Sequence, residues 1–353
     1  MAGRNEQPIV ACRGVWKLFG ARVEEALAAL QKEPLGKAEI LSRFDCVLGV
    51  ADASFDVRPG EIFCIMGLSG SGKSTLVRHI NGLIQPTVGQ VLIDGEDIAK
   101  KDPATLRRLR AEKIGMVFQN FALLPHRTVI ENVAFGLELR KVPRAQRMAR
   151  AEKVLETVQL GGWAHRWPDE LSGGMQQRVG LARALAGDPE ILLMDEPFGA
   201  LDPLIRRQLQ DQFLELSRAV HKTTIFITHD LEEAFRVGSR VAIMRDGRIV
   251  QIGTPVEILR NPADDYVADF LSGLSPAKVL RASDIMTPLN GQGLPAEAGS
   301  WPKARPDSDL ALLADLLTAE GDRVLIADDK AQALGWVDRA SVLKTLARRQ
   351  HHA

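Results

Sequence analysis

Cysteine is scarce in this 353-residue chain, which has only Cys12, Cys46 and Cys64, without paired or metal-type spacing. An odd, sparse set argues against a disulfide framework or a cysteine-rich metal site and reads as reduced thiols in a cytosolic protein. An excess of one charge is missing too: Lys plus Arg and Asp plus Glu each number 45, so the formal net charge is zero. That balance excludes a dominant electrostatic attraction, and nucleic acid is not expected as a partner, although a local basic patch stays open. No run approaches the roughly 20 apolar residues of a membrane span, and residues 1–11 lack the apolar core of a signal peptide. The chain is expected to be soluble by itself, so any membrane role must come through a partner.

What is present is long enough for two domains with real cores. Short apolar runs at 62–66, 114–118, 191–194, 224–228 and 241–244 alternate with amphipathic segments. This pattern predicts an α/β domain with a largely parallel sheet flanked by helices. Asp246-Gly247 reads as a two-residue hairpin turn. Between 128 and 186 the strand pattern gives way to Leu, Val and Ala at helical spacing, as in a helical subdomain inserted into the sheet domain, about 120–186.

The most specific feature is Gly67-Leu68-Ser69-Gly70-Ser71-Gly72-Lys73-Ser74-Thr75, directly after the apolar run 62–66. Here a buried strand feeds a glycine-rich turn and a helix start. Glycines let backbone N–H groups turn around an anion, Lys73 can reach terminal phosphates, and the Ser74 hydroxyl can ligate magnesium. A nucleoside triphosphate is the expected ligand. A second element, Ile191-Leu192-Leu193-Met194-Asp195-Glu196, ends an apolar strand in two carboxylates at the sheet edge where ligands of open α/β sheets bind. Asp195 can organise magnesium, and Glu196 is placed to accept a proton from an attacking water.

Leu171-Ser172-Gly173-Gly174-Met175-Gln176-Gln177-Arg178 resembles the signature motif of ATP-binding cassette (ABC) ATPases. Gln119 follows the run 114–118, Ala200-Leu201-Asp202 follows the carboxylates, and His229 follows 224–228, so the family's motifs stand in order over roughly 9–260. The amides of Ser172, Gly173 and Gly174, with the Ser172 hydroxyl, form an anion-binding helix N-terminus. The resemblance implies that they face the γ-phosphate held by a second copy of the chain, two subunits sandwiching two ATP molecules head to tail. By the same resemblance Gln119 senses magnesium and the attacking water, His229 is the switch histidine at the γ-phosphate, and Asp202 orders the subunit boundary. Phe19 is the candidate to stack on adenine, with a core aromatic as the alternative and Trp16 close by. Met175 departs from the Gln that many members carry at that position, while Ser172, Gly173 and Gly174 keep the pattern.

Within the family, Val15 to Gly20, the stretch from Gly60 to Gly72, Val117 to His126 and Asp195 to Arg206 resemble the ATPase subunits of glycine betaine, proline betaine and choline importers. That branch implies a peripheral subunit at the cytoplasmic face of a bacterial inner membrane, working with an integral membrane permease and, indirectly, a periplasmic binding protein. An ATPase for another small solute, or a soluble non-transport ABC ATPase, is the alternative. The segment 121–125 is expected either to receive a helix of the permease or to pack in the helical subdomain. Residues 21–50 form an insert expected to hold a helix at 24–31 and read as a surface elaboration. After an ATPase domain over 1–275, prolines from Pro276 to Pro306 suggest a linker and then a small α+β domain over 276–353. Its 282–286, 307–320, 323–328 and 334–343 resemble one degenerate cystathionine β-synthase type repeat, with regulation, dimer support or vestigial structure all open. The basic end 348–352 is expected to be a solvated tail or a contact to anionic lipid.

Overall fold

The protein is described by a computed structural model over residues 7–33, 35–118, 122–199, 201–289, 294–319 and 321–347. It divides into two compact units, Met1–Ile252 and Gly253–Ala353. The first unit opens with β1 (Val10–Gly20), α1 (Val23–Leu30), α2 (Lys37–Phe44), β2 (Cys46–Val57), β3 (Ile62–Met66) and α3 (Lys73–Ile80). It continues through β4 (Val88–Ile93), β5 (Glu96–Asp97), α4 (Pro103–Lys113), β6 (Ile114–Val117), α5 (Val129–Leu139), α6 (Arg144–Thr157) and α7 (Gly173–Ala186). Then come β7 (Ile191–Asp195), α8 (Pro203–Val220), β8 (Thr223–Thr228), α9 (Leu231–Val237), β9 (Arg240–Arg245) and β10 (Arg248–Gly253).

The apolar runs form one six-stranded sheet in the order β10-β9-β3-β8-β7-β6, in which β9, β3, β8, β7 and β6 run parallel. Parallel strands covered on both faces need apolar side chains throughout, and β3 and β8 are buried along their whole length. A second, antiparallel sheet, β2-β1-β4-β5, was not anticipated from the sequence. Its inner face and that of the parallel sheet share one apolar cluster with α3, in which the rings of Phe55 on β2 and Phe63 on β3 stack 5.0 Å apart. All three cysteines are buried and unpaired. Burial pushes the Cys12 thiol up to about 12 and holds that of Cys64 well above its usual range. The hairpin turn between β9 and β10 is Asp246-Gly247, with φ of 52° and 86°, the left-handed pair that a two-residue turn demands.

The insert holds two helices rather than one. α1 matches the expected apolar face; α2 carries only Ile40 and Phe44 as buried positions, too few for a periodic signal. Together with Leu18, Cys46 and Leu48 they close a small core of their own. The helical subdomain comprises α5, α6 and α7. Its first turn is fixed by Asn132, fully buried, whose amide donates to the carbonyls of Leu124, Arg127 and Thr128 at 3.0 Å each while its Oδ1 accepts from the Leu124 N–H at 2.7 Å.

The second unit contains α10 (Pro255–Arg260), α11 (Asp265–Leu271), α12 (Pro276–Val279) and α13 (Ala282–Ile285). These are followed by β11 (Thr287–Pro288), β12 (Lys303–Ala304), α14 (Leu310–Ala319), β13 (Arg323–Ala327), β14 (Ala333–Asp338) and α15 (Arg339–Ala347). Its sheet runs β11-β14-β13-β12, and its core gathers Ala282, Leu313, Leu317, Val324, Ile326 and Val337. The compositional break at 276 falls inside this unit.

Replacing Asn132 by Leu leaves a buried N–H and several carbonyls without their partner, and is expected to cost about 3 kcal/mol. Chemical denaturation followed by tryptophan fluorescence checks this, and an unchanged midpoint would show that water replaces the amide.

Candidate nucleotide-binding and catalytic site

The parallel sheet delivers four strand ends to one edge. β3 runs into the phosphate loop, β7 ends at Asp195 with Glu196 directly after it, β8 precedes His229, and β6 precedes Gln119, which lies outside the described residues, as does Ala200. The loop can form because three of its glycines take left-handed backbone: Gly67 at φ 152°, Gly70 at 76° and Gly72 at 104°. Two of them also lie against other backbone. A Cβ at Gly67 would sit 2.2 Å from the Met244 carbonyl oxygen, and one at Gly72 would sit 2.2 Å from that of Gly49.

Among the described residues, all but one of the carbonyls of 67–72 are held. Lys73 Nζ donates to those of Gly67 and Leu68 at 2.7 and 3.0 Å, Lys37 Nζ donates to that of Gly70 at 2.6 Å, and Gly247 N–H donates to that of Ser71 at 2.9 Å. The Gly72 carbonyl accepts from the Leu76 N–H. No side chain caps α3, so the first-turn N–H groups of Lys73, Ser74 and Thr75 face a site for an anion. The Ser71 hydroxyl is buried with no partner among the described residues. Such a cradle fits a polyphosphate. Burial lowers the pKa of Lys73, a shift opposed by the charges of Glu196 and Asp195.

Ser74 Oγ donates to Asp195 Oδ1 at 3.2 Å, which ties the helix after the loop to the end of β7. Burial raises the Asp195 pKa and the Glu196 charge adds to it, while the Ser74 bond pulls it down. Glu196 has a φ of 46°, uncommon for a residue with a side chain. Its N–H donates to the Ile227 carbonyl at 3.0 Å, and just beyond it Phe198 is buried against Phe213 and Phe226. The chain thus turns sharply and aims the carboxylate at His229, whose Nδ1 lies 3.1 Å from Glu196 Oε2. The histidine side chain is 58% exposed and the carboxylate 19%. This pairing could not be read from spacing in the sequence.

Phe19 is 41% exposed, with Lys17 Nζ 5.0 Å from its ring centre. A Cβ at Gly49 would touch both its ring and the methyl of Thr75, at 3.0 and 3.2 Å, so the ring stands beside the end of the phosphate loop. Trp16 packs instead against the core of the insert. Ser172 caps α7 through the Met175 N–H, and Asp202 caps α8 through the N–H groups of Leu204 and Ile205. Gly174 lets the two helix starts meet, since a Cβ there would lie 2.9 Å from Ile205 Cγ2. Among the described residues neither Ser172 nor Asp202 is hydrogen-bonded to the phosphate loop.

Residues 50–199 match the family model of the ABC transporter. The chain is similar to the dimeric structure of a bacterial ABC transporter cassette, with a TM-score of 0.58 and 32% identity over 70% of this chain and 98% of that one. That cassette's post-hydrolysis state bound to ADP and Pi gives the same values. The glycine betaine/proline betaine transport system ATP-binding protein ProV of Salmonella typhimurium is 55% identical over 77% of this chain and 68% of its own length. The trimethylamine N-oxide transport system ATP-binding protein TmoW of Ruegeria pomeroyi is 45% identical over 96% of this chain and 97% of its own length.

The first unit therefore has the architecture of an ATP-binding cassette. The chain belongs to the ATP-binding subunits of ABC transporters.

Gly72→Ala places a methyl group into the Gly49 carbonyl at a left-handed position and is expected to cost upwards of about 2 kcal/mol and to impair nucleotide binding. Thermal melting and a fluorescent-nucleotide titration check both; wild-type values would show that the close approach is dispensable.

Proposed function

We propose that this chain hydrolyses ATP to power the import of a quaternary amine osmoprotectant: choline, glycine betaine or proline betaine. The observation that carries the chemistry is the convergence of Ser74 on Asp195 and of Glu196 on His229 beside the phosphate loop. The choice of solute rests on the relatives, ProV being named for glycine betaine and proline betaine. Trimethylamine N-oxide, in the name of TmoW, also presents a compact trimethylated nitrogen and heads the alternative solutes, because that match spans nearly the whole chain.

In this reading the loop amides and Lys73 bind the β- and γ-phosphates, Lys73 exchanging two neutral carbonyls for charged oxygens. Ser74, Asp195 and Gln119 hold magnesium, which when bound offsets charge on the phosphate oxygens. No group of three or more His, Cys, Asp or Glu suited to a metal exists among the described residues. Ser74 Oγ and Asp195 Oδ1, 3.2 Å apart, are oxygen donors of the kind magnesium takes, with phosphate and water completing its shell. Glu196 orients the attacking water and takes its proton. His229, within hydrogen-bond reach of Glu196, holds that carboxylate and contacts the γ-phosphate. Phe19 stacks on adenine.

A second copy completes the site, bringing Ser172, Gly173 and Gly174 to the γ-phosphate and Asp202 to the boundary; similarity to a dimeric cassette supports the pairing. No described helix is long and apolar enough to cross a membrane; in this reading coupling to transport runs through an integral membrane permease at the cytoplasmic face of the inner membrane. The segment 121–125 is its docking site, of which Phe121 lies outside the described residues. In the second unit α14, β13 and β14 lie where a helix and two strands are expected, and this reading takes the unit as regulatory, with ionic strength or a nucleotide as its signal and dimer support or vestigial structure as the alternative.

Glu196→Gln is expected to keep ATP affinity and lose turnover by about a hundredfold or more; near-normal hydrolysis would remove Glu196 as the base. The function itself is tested by ATP hydrolysis of the chain reconstituted with its permease and binding protein in vesicles, at low and high ionic strength. Stimulation by one amine names the solute, and stimulation by none, with basal hydrolysis intact, overturns the amine assignment.

A further inference from the structure

The insert between β1 and β2 touches the phosphate loop. Lys37, the first residue of α2, donates from Nζ to the Gly70 carbonyl at 2.6 Å. The side chain is half-buried: its burial lowers its pKa, and Asp246, in the turn that also braces Ser71, opposes the shift. A trans peptide sets its C=O and N–H on opposite sides. Fixing the Gly70 carbonyl on the side of the insert therefore fixes the Ser71 N–H on the opposite side, where it bonds to the Leu68 carbonyl at 3.1 Å, within the loop. Gly70 has a φ of 76° and nothing within 4 Å of where a Cβ would be, so packing does little to hold this peptide. Of the tethers on the loop among the described residues, Lys37 is the one that comes from the two helices of the insert.

α2 is itself anchored. Ile40 and Phe44 are buried in the core shared with Leu18 and Cys46, and Leu18 adjoins the exposed ring of Phe19. One small core thus supports both the aromatic residue beside the loop and the lysine on the loop.

We propose that Lys37 is a positioning residue for nucleotide binding: by holding the Gly70 carbonyl it fixes the Gly70–Ser71 peptide in the orientation that closes the Leu68–Ser71 turn, and so keeps the loop in its phosphate-binding shape, so that the insert sets ATP affinity. The inference rests on the reading of this loop as the ATP site. Loss of a single half-exposed, charge-assisted hydrogen bond should weaken nucleotide affinity roughly five- to tenfold. The effect should fall on Kd and KM, because Lys37 touches neither Glu196 nor His229.

The test uses the full chain and titrates a fluorescent ATP analogue into wild type, Lys37→Ala, Lys37→Arg and the exposed insert control Lys32→Ala. Alongside, it measures steady-state KM and kcat, melting without nucleotide, and amide exchange of the peptide covering 67–73. The expected result for Lys37→Ala is a raised Kd and KM, kcat within about twofold, an unchanged melting temperature and faster exchange at 70–72, with Lys37→Arg recovering affinity and Lys32→Ala behaving as wild type. Unchanged affinity in Lys37→Ala would overturn the proposal. So would an affinity loss that tracks a fall in melting temperature and is not recovered by Arg, because it would make the residue structural. Failure of the wild-type chain to bind the analogue would overturn the ATP-site reading itself, and this inference with it.

Discussion

Everything at the site depends on one close approach: the phosphate loop lies directly on the backbone of two other segments. Gly72 sits against the Gly49 carbonyl of β2 and Gly67 against the Met244 carbonyl of β9, while Gly247 donates to the Ser71 carbonyl. No side chain could fill those gaps, so the glycines are dictated from outside the loop as well as by its own dihedrals. The antiparallel sheet therefore does more than cover the core. Its strand β2 supplies both Gly49, on which the loop rests, and Ala51, whose N–H donates to the Gly247 carbonyl at 2.8 Å.

The second constraint is the order of the parallel strands. With β8 between β3 and β7, Glu196 and His229 leave neighbouring strands at the same edge and meet at 3.1 Å, while Ser74 reaches past to Asp195. The positive φ of Glu196 is the local cost of this arrangement, held in place by the Ile227 carbonyl and the ring of Phe198. Position along the sheet edge, rather than proximity along the chain, makes these groups one site.

Much of this was legible in the sequence, because the parallel strands are short and continuously apolar and the glycine-rich turn has a single chemical rationale. The strands expected at 62–66, 114–118, 191–194, 224–228 and 241–244 are present within a residue or two, as is the Asp246-Gly247 turn. The antiparallel sheet escaped because β1 and β2 are irregular: their register shifts repeatedly between Cys12 and Leu18, which breaks the two-residue alternation that marks a strand. α2 escaped because two buried residues make no pattern. Lys37 and Asn132 escaped for a more general reason. Each acts by hydrogen-bonding backbone carbonyls, and a carbonyl leaves no trace in the identity of the residue that bears it.

The three cysteines bear on how the molecule can be observed. The reactive form of a thiol is its anion; Cys12, Cys46 and Cys64 are all buried, and for Cys12 and Cys64 burial also opposes ionisation. The native fold is thus a quiet background for maleimide dyes. A probe cysteine placed on the helical subdomain and another on the sheet domain would report their relative movement during turnover, with no native thiol needing to be removed first.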